Sequence, residues 1–333
     1  MNKQVLFEIL FILFVIIIYP LLIKKKSTRD EELLSINYTT VLRGIAILMV
    51  YLQHTMGGLG SRLFTPLGGG GVAIFLIISG FGLSESYKRK GLTKYWKRKF
   101  LHVFIPWILV FFVFQYDFTQ FNILSLIGNI TLIKPIPWYL QYLLLWYTIF
   151  YITHRFTLIQ KYENIVYILS ALCIFFFWGD LQAEQSITFI LGIMISRYLP
   201  MIITLSKKKM FTLVALMTIL TIFTLSIKQI PIVRENFSNK ILFHSIQLCL
   251  KTSLALSVIF GLQYVKKILN NKFLTFTGKI SYEIYLVHLW VVPVILAYYP
   301  IMNIYIHISI FLLLTYIISF LFNNLNKGLI MKL

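Results

Sequence analysis

The chain has 333 residues, of which 59% are hydrophobic and 17% aromatic but only 13% charged. Its mean hydropathy of +0.82 excludes a soluble domain, whose surface would need more polar residues than this. The formal net charge of +20 would suggest nucleic-acid binding in a soluble protein. Here Lys and Arg cluster between apolar runs, so the charge follows the positive-inside rule and no nucleic-acid partner is expected.

Apolar runs along the whole chain predict an all-α polytopic membrane protein that crosses the lipid bilayer with about eleven transmembrane helices. The predicted spans are 5–23, 40–57, 70–86, 100–117, 138–154, 164–179, 185–203, 210–227, 241–265, 279–298 and 303–323. The segment 118–136 is shorter and contains polar residues, so we interpret it as an external or interfacial loop. A re-entrant segment is the alternative.

The distribution of basic residues predicts the orientation. With the N-terminus outside and the C-terminus inside (N-out/C-in), 22 of the 31 Lys and Arg residues fall on the cytosolic side and six outside, as the positive-inside rule requires. The run 5–23 has no small-residue cleavage site, which favours a retained helix over a signal peptide. We therefore interpret 1–36 as an extra N-terminal transmembrane helix with a cytosolic basic linker, and 37–333 as the main membrane domain.

Arg43 and His54 form an ionisable pair within one predicted span. Eleven residues separate them, which places both side chains on one helix face, about 16 Å apart along the axis. Alone, Arg43 could snorkel to the headgroups and His54 could be an interfacial residue. Together, with Gln53 beside the histidine, they favour a polar path through the bundle.

Four consecutive glycines, Gly68–Gly71, lie where the next span begins. Glycine lets a backbone approach a ligand or another helix closely, so Gly70 and Gly71 are candidate site-lining residues. A flexible loop is the alternative interpretation. Ser79, later in the same span, is a further candidate, although it could serve helix packing alone.

The densest basic segment, 86–107, contains Lys97, Arg98 and Lys99. Most of this charge serves topological anchoring. Arg and Lys also bind phosphates through charge-assisted hydrogen bonds. These three residues are therefore candidates for binding a phosphate-bearing cytosolic ligand.

Two later spans supply the remaining candidates. Trp138 fits the aromatic belt at the outer interface, and Gln141 is a polar side chain that needs a partner within the membrane. Tyr285 and His288 are i, i+3 neighbours on one helix face. His288 as a hydrogen-bonded core residue, with no further role, stays an open alternative.

Five motifs in this order resemble the integral-membrane acyltransferase-3 family. The matching segments are LRGIAILMVYLQH (42–54), GGGGVAIFLIISGF (68–81), YWKRKFLHVFIPW (95–107), PWYLQYLLLWY (137–147) and GKISYEIYLVH (278–288). The second resembles a glycine-rich outer loop of that family. Two positions depart from the pattern: Thr40 stands where an Asp is frequent, and His102 stands near the place of a further arginine.

The resemblance implies a ten-helix acyltransferase core, so 5–23 would be an added helix. It implies acyl-CoA, usually acetyl-CoA, as a cytosolic donor substrate, with no permanently bound cofactor or metal. His54 would act as general base on the acceptor hydroxyl or as a transient acyl carrier. Arg43 would steady the donor or hold the helix of His54 in register. Tyr285 and His288 would orient the acceptor or stabilise the oxyanion.

The function expected from this resemblance is O-acylation, most simply O-acetylation, of a capsular, exopolysaccharide or other cell-surface glycan at the plasma membrane. A polysaccharide exporter or flippase is the alternative. A transporter of that kind usually shows an inverted repeat and helices broken near the midplane. The sequence shows no repeat, and the fixed pair of Arg43 and His54 fits group transfer better.

Overall fold

The computed structural model describes residues 32–58, 64–114, 137–230, 233, 240–297 and 304–331. Every regular element within these ranges is helical, so the predicted all-α class is confirmed there. The predicted first span, 5–23, and the predicted loop, 118–136, lie outside the described residues.

The helices of the described ranges follow the predicted spans closely, with short polar helices between them. They are α1 (Ile36–Gly58), α2 (Thr65–Lys90), α3 (Tyr95–Lys99), α4 (Ile105–Phe114), α5 (Trp138–Arg155), α6 (Thr157–Lys161), α7 (Glu163–Phe177), α8 (Asp180–Ala183), α9 (Thr188–Ile203), α10 (Lys207–Gln229), α11 (Lys240–Gly261), α12 (Lys266–Leu269), α13 (Lys272–Lys279), α14 (Ser281–Ala297) and α15 (Ile304–Ile330).

Five helical stretches of the described residues are long and apolar enough to cross a membrane. They are Thr65–Lys90, Asp180–Ile203, Lys207–Lys228, Lys240–Tyr264 and Ser309–Ile330, and α7 is a shorter apolar helix. The chain is therefore a multi-pass membrane protein. The count of eleven spans and the N-out/C-in orientation stay predictions.

The glycine run is helical. Helix α2 begins at Thr65, before the predicted start at 70, with Pro66 in its first turn, where proline is well tolerated. The expectation of a glycine-rich loop is therefore wrong. A Cβ on Gly70 would lie 2.5 Å from Leu254 of α11, and one on Gly71 would lie 2.5 Å from the Ala46 carbonyl oxygen of α1. Because glycine has no side chain, α2 packs closely against α1 and α11 at these positions.

Helices α1 and α2 occupy the centre of the bundle. Both contribute to the apolar cluster that contains α4, α5, α14 and α15, and both contribute to the cluster that contains α9 to α13. The two helices run antiparallel, because Gly71 meets Ala46 while Gly68 meets Gln53. The first residues of α1 therefore lie at the same end of the bundle as the last turn of α2, which carries Lys88, Arg89 and Lys90. We call this the basic end.

A π-helical turn, Phe100–Phe104, joins α3 to α4. Pro106 is the second residue of α4, and a proline has no N–H and clashes with the carbonyl four residues before it. The wider turn relieves that clash and changes the register of the carbonyls. The Val103 carbonyl then accepts a 2.8 Å hydrogen bond from the Tyr282 hydroxyl, which ties this turn to the start of α14.

Helix α13 fixes the first half of α1 through two glycines. A Cβ on Gly44 would overlap the Leu274 carbonyl oxygen, and a Cβ on Gly278 would overlap the Thr40 carbonyl oxygen. The Asn271 side chain caps α13 by accepting a hydrogen bond from the Leu274 amide at 3.1 Å. The backbones of the two helices thus touch beside Arg43.

We expect Gly278→Ala to destabilise the protein by about 1–3 kcal/mol, the usual effect of overpacking. The added Cβ meets backbone and not a flexible side chain, so α13 must move away from α1. Thermal unfolding in detergent measures the loss. Gly82→Ala on α2 is the matched control, because nothing lies within 4 Å of its added Cβ. Equal melting temperatures for the two variants would contradict the close contact.

Candidate active site

Helix α1 is continuous from Ile36 to Gly58, so Arg43 and His54 do share one face, three turns apart. Arg43 donates a hydrogen bond from Nη2 to the Thr40 hydroxyl at 3.2 Å. Its Nε is buried and has no hydrogen-bond partner among the described residues. Thr40 is therefore a direct but neutral partner of the guanidinium.

The nearby carboxylate comes from α14. Glu283 interacts electrostatically with Arg43 and is only 4% exposed. It accepts a 2.9 Å hydrogen bond from Asn323 Nδ2 of α15. Lys327 of α15 also interacts electrostatically with Glu283, so two cations offset part of the cost of burying this carboxylate. Neither Glu283 nor Asn323 was among the sequence candidates, although an acidic residue inside an apolar run, such as Glu283, is a signal of function.

His54 and His288 face each other, with ring centroids 5.1 Å apart. His288 has no exposed surface, and its Nδ1 lies 3.0 Å from the Ile284 carbonyl oxygen. A carbonyl only accepts, so Nδ1 carries the proton and Nε2 presents a lone pair. That Nε2 is buried, with no partner in the described ranges. The structure thus brings together the two histidines that the sequence singled out.

A wall of buried aromatic residues extends from His288 towards the basic end. The Tyr285 ring lies 5.8 Å from that of His288 and 5.1 Å from that of Tyr139. The hydroxyls of Tyr139 and Tyr147 both interact with Ser79 of α2. We call Tyr139, Tyr147 and Tyr285 the tyrosine wall. Ser79 bridges two of these residues, and it does not contact the histidines directly in any described interaction.

The remaining candidates from the second and fourth motifs contact neither histidine in any described interaction. Trp138 packs on Tyr139 and Tyr142, with ring centroids 6.2 and 6.4 Å away. Gln141 is half-buried on the same helix, α5. Gly70 and Gly71 sit in helix contacts, as described above. A role of these four residues in lining a ligand site stays a prediction.

The three basic candidates on α3 differ in their surroundings. Lys97 is exposed and Arg98 is half-buried. Lys99 turns inward, with Nζ 3.9 Å from the centroid of the Tyr147 ring, a cation–π contact. Lys99 precedes the predicted span 100–117, and burial lowers the pKa of its ammonium group to about 8. Lys99 therefore connects the basic end to the tyrosine wall.

A buried ion pair that was not predicted from the sequence packs against the glycine run. Lys251 Nζ of α11 pairs with Glu184, and the two side chains are 11% and 7% exposed. The Lys251 stem packs on Gly69, whose carbonyl accepts a 2.9 Å hydrogen bond from Gln185 Nε2. These contacts join α2, α11 and the turn before α9, close to Gln53, whose side chain meets Gly68.

We expect Lys251→Met alone to lower the free energy of unfolding by about 3–5 kcal/mol, because it leaves the Glu184 carboxylate buried without its counter-charge. Adding Glu184→Gln should recover most of that loss. Thermal unfolding in detergent compares the variants. Lys240→Met breaks an exposed pair with Asp180 and should cost less than about 1 kcal/mol. Equal losses in the two single variants would contradict this role of burial.

A family model described as an acyltransferase domain matches residues 36–324. No curated protein and no solved structure matches the chain. The matched range begins with the first residue of α1 and contains all the candidate residues discussed above. It leaves the predicted helix 5–23 outside.

Proposed function

The chain belongs to the acyltransferase-3 family, and from that premise we propose that this membrane acyltransferase moves an acyl group, most simply acetyl, from cytosolic acyl-CoA to a hydroxyl of a cell-surface glycan. The observation that carries the proposal is the pairing of His54 with His288 of α14. His54 lies on the same face of α1 as Arg43, which is held by its hydrogen bond to Thr40. A base oriented by a second group is the arrangement that activates a hydroxyl nucleophile.

In the proposed reaction His54 removes the proton of the acceptor hydroxyl as its oxygen attacks the thioester carbonyl. His288 Nε2, which has no partner in the described ranges, accepts a hydrogen bond from the His54 ring once the acceptor is bound, and so orients that ring. The tetrahedral intermediate collapses with cleavage of the C–S bond, and the proton held by His54 passes to the departing thiolate. Tyr285, beside His288, donates to the oxyanion.

The donor would place its phosphates at the basic end. Lys99 and Arg98 offer cations there, and Lys97 adds an exposed one. Arg43 is the only guanidinium among the described residues of α1, and it would steady the part of the donor that enters the bundle. Charge-assisted hydrogen bonds to phosphate are stronger than neutral ones, which favours entry of the anionic end from this side.

The test uses purified protein in liposomes with acetyl-CoA labelled in the acetyl group and the surface glycan of the host as acceptor. We expect label in the glycan that mild alkali releases, as it does from an ester. Label absent from the glycan would contradict the proposal. Movement of unlabelled glycan across the bilayer would instead support the exporter alternative.

We expect Arg98→Glu to raise the KM for acetyl-CoA about tenfold or more, since a hydrogen bond to a charged group contributes about 1.5–3 kcal/mol. The KM for the glycan should stay the same. Lys208→Glu, which makes the same charge change on α10, is the control and should leave both constants unchanged. An effect of Arg98→Glu confined to the glycan would place donor binding elsewhere.

A further inference from the structure

The last helix, α15, has a polar face buried inside the bundle. Thr315 and Ser319 have no exposed surface, and Asn323 and Asn326 are 6% exposed. At about 100° per residue these four positions fall within one sector of about 80°, along about 16 Å of helix. We call these four residues the polar seam.

The polar seam has hydrogen-bonding capacity that the described residues do not use. Thr315 Oγ1, Ser319 Oγ and Asn326 Oδ1 are buried and have no partner among them. Hydroxyls on other helices, such as Thr218 and Ser226 of α10, donate to the carbonyl four residues before. Buried polar groups nearly always have a partner, so these unused atoms point to a ligand that supplies one.

Unpartnered atoms on α1 and α14 extend the polar seam to the candidate site. The Tyr51 hydroxyl interacts with Thr315, but neither hydroxyl has a partner with full hydrogen-bond geometry among the described residues, and Tyr51 is one helical turn from His54. Arg43 Nε lies at the other end, near Glu283. Of the twelve unpartnered buried side-chain atoms in the described residues, six lie on α1, α14 and α15. Half of these unpartnered buried atoms therefore lie on the three helices that carry Arg43, the two histidines and the polar seam.

We propose that the polar seam binds the amide-bearing pantetheine arm of the acyl-CoA donor. This inference rests on the proposed function. The four side chains are neutral donors and acceptors, which suits amide and hydroxyl groups. A phosphate would need cations, and a hydrocarbon chain would leave the polar atoms unpaired.

The shape of the reactants supports the same assignment. The pantetheine arm is narrow and carries its amides along its length, whereas a sugar ring is too wide to lie between packed helices. An arm along α15 would place the thioester near His54 and the phosphates at the basic end. The seam atoms are buried, so the arm enters as α15 shifts outward.

The test pairs two donors with a variant that removes hydroxyls and keeps the side-chain shape, Thr315→Val with Ser319→Ala. The donors are acetyl-CoA and S-acetyl-N-acetylcysteamine, which keeps the thioester but lacks most of the arm and the nucleotide. We expect the KM for acetyl-CoA to rise about tenfold, because two neutral hydrogen bonds are lost. The rate with the truncated donor should be unchanged.

The control is Thr218→Val with Ser226→Ala, whose hydroxyls are exposed and bonded within their own helix. It should change neither donor. An unchanged KM for acetyl-CoA in the seam variant, or an equal loss with both donors, would overturn the inference. If the double variant unfolds, the single variant Ser319→Ala replaces it. It should raise the KM for acetyl-CoA about threefold, and an unchanged KM would overturn the inference. Absence of any transfer by the unmodified protein would instead overturn the proposed function itself.

Discussion

Replacement of His54 by alanine is expected to lower the rate of acyl transfer by a factor of about 100 to 10,000, the range that a general base contributes. The side chain is half-buried and faces His288 across a 5.1 Å separation of ring centroids. Its loss opens no large cavity in the apolar clusters, so the protein should still fold and insert. The ester content of the host glycan and the kcat of the purified protein measure the effect.

A histidine away from the site provides the control for that experiment. His244 of α11 lies 3.3 Å from Asp180 and contacts the Phe175 ring, with no link to His54. His244→Gln should keep its rate within about twofold of the unmodified protein. Normal ester content in the His54→Ala strain would remove the general-base role and leave His54 as a packing residue.

Arg43→Lys is expected to lower transfer about 10- to 100-fold, the value of one or more hydrogen bonds from a charged group. An ammonium keeps the charge near Glu283, but it does not reproduce the planar fork of donors that reaches Thr40 while leaving Nε free. The measured quantity is kcat/KM for acetyl-CoA. Full activity in the lysine variant would mean that Arg43 serves topology alone.

A second pair of variants separates catalysis from stability at this position. Arg43→Met removes one of the two cations that interact with the buried Glu283 carboxylate, the other being Lys327, and should lower the melting temperature. Adding Glu283→Gln should restore the melting temperature but not the transfer rate. Recovery of both would show that the guanidinium acts only by compensating the carboxylate.

The long helices could be predicted from the sequence because their apolar runs are long and their ends carry local signals. The predicted span 138–154 matches α5, Trp138–Arg155, which begins after Pro137. The predicted span 210–227 matches α10, which begins after the capping residue Ser206. Helix α13 was missed because it is eight residues long and polar on one face, which makes it too short to show as an apolar run.

In the candidate site, features within one helix could be predicted from the sequence, whereas contacts between helices could not. The shared face of Arg43 and His54 follows from helical periodicity alone, and the motif around His288 could be found in the sequence. The partners could not. Lys251 and Glu184 are 67 residues apart in the chain, so their pairing depends on the tertiary fold. The hydroxyls of the polar seam have no distinguishing sequence pattern, and only the structure shows that they lack hydrogen-bond partners among the described residues.

The backbone contacts between α1 and α13 set how freely the chain can vary. At Gly44 and Gly278 any larger residue meets a carbonyl of the other helix, so neither position can accept one without moving the helix that carries Arg43. On α10, where Ile219, Ile222 and Phe223 are about 60% exposed, one apolar residue can replace another with little effect. In a saturation library selected for transfer, we therefore expect α10 to diversify while these two glycines stay invariant.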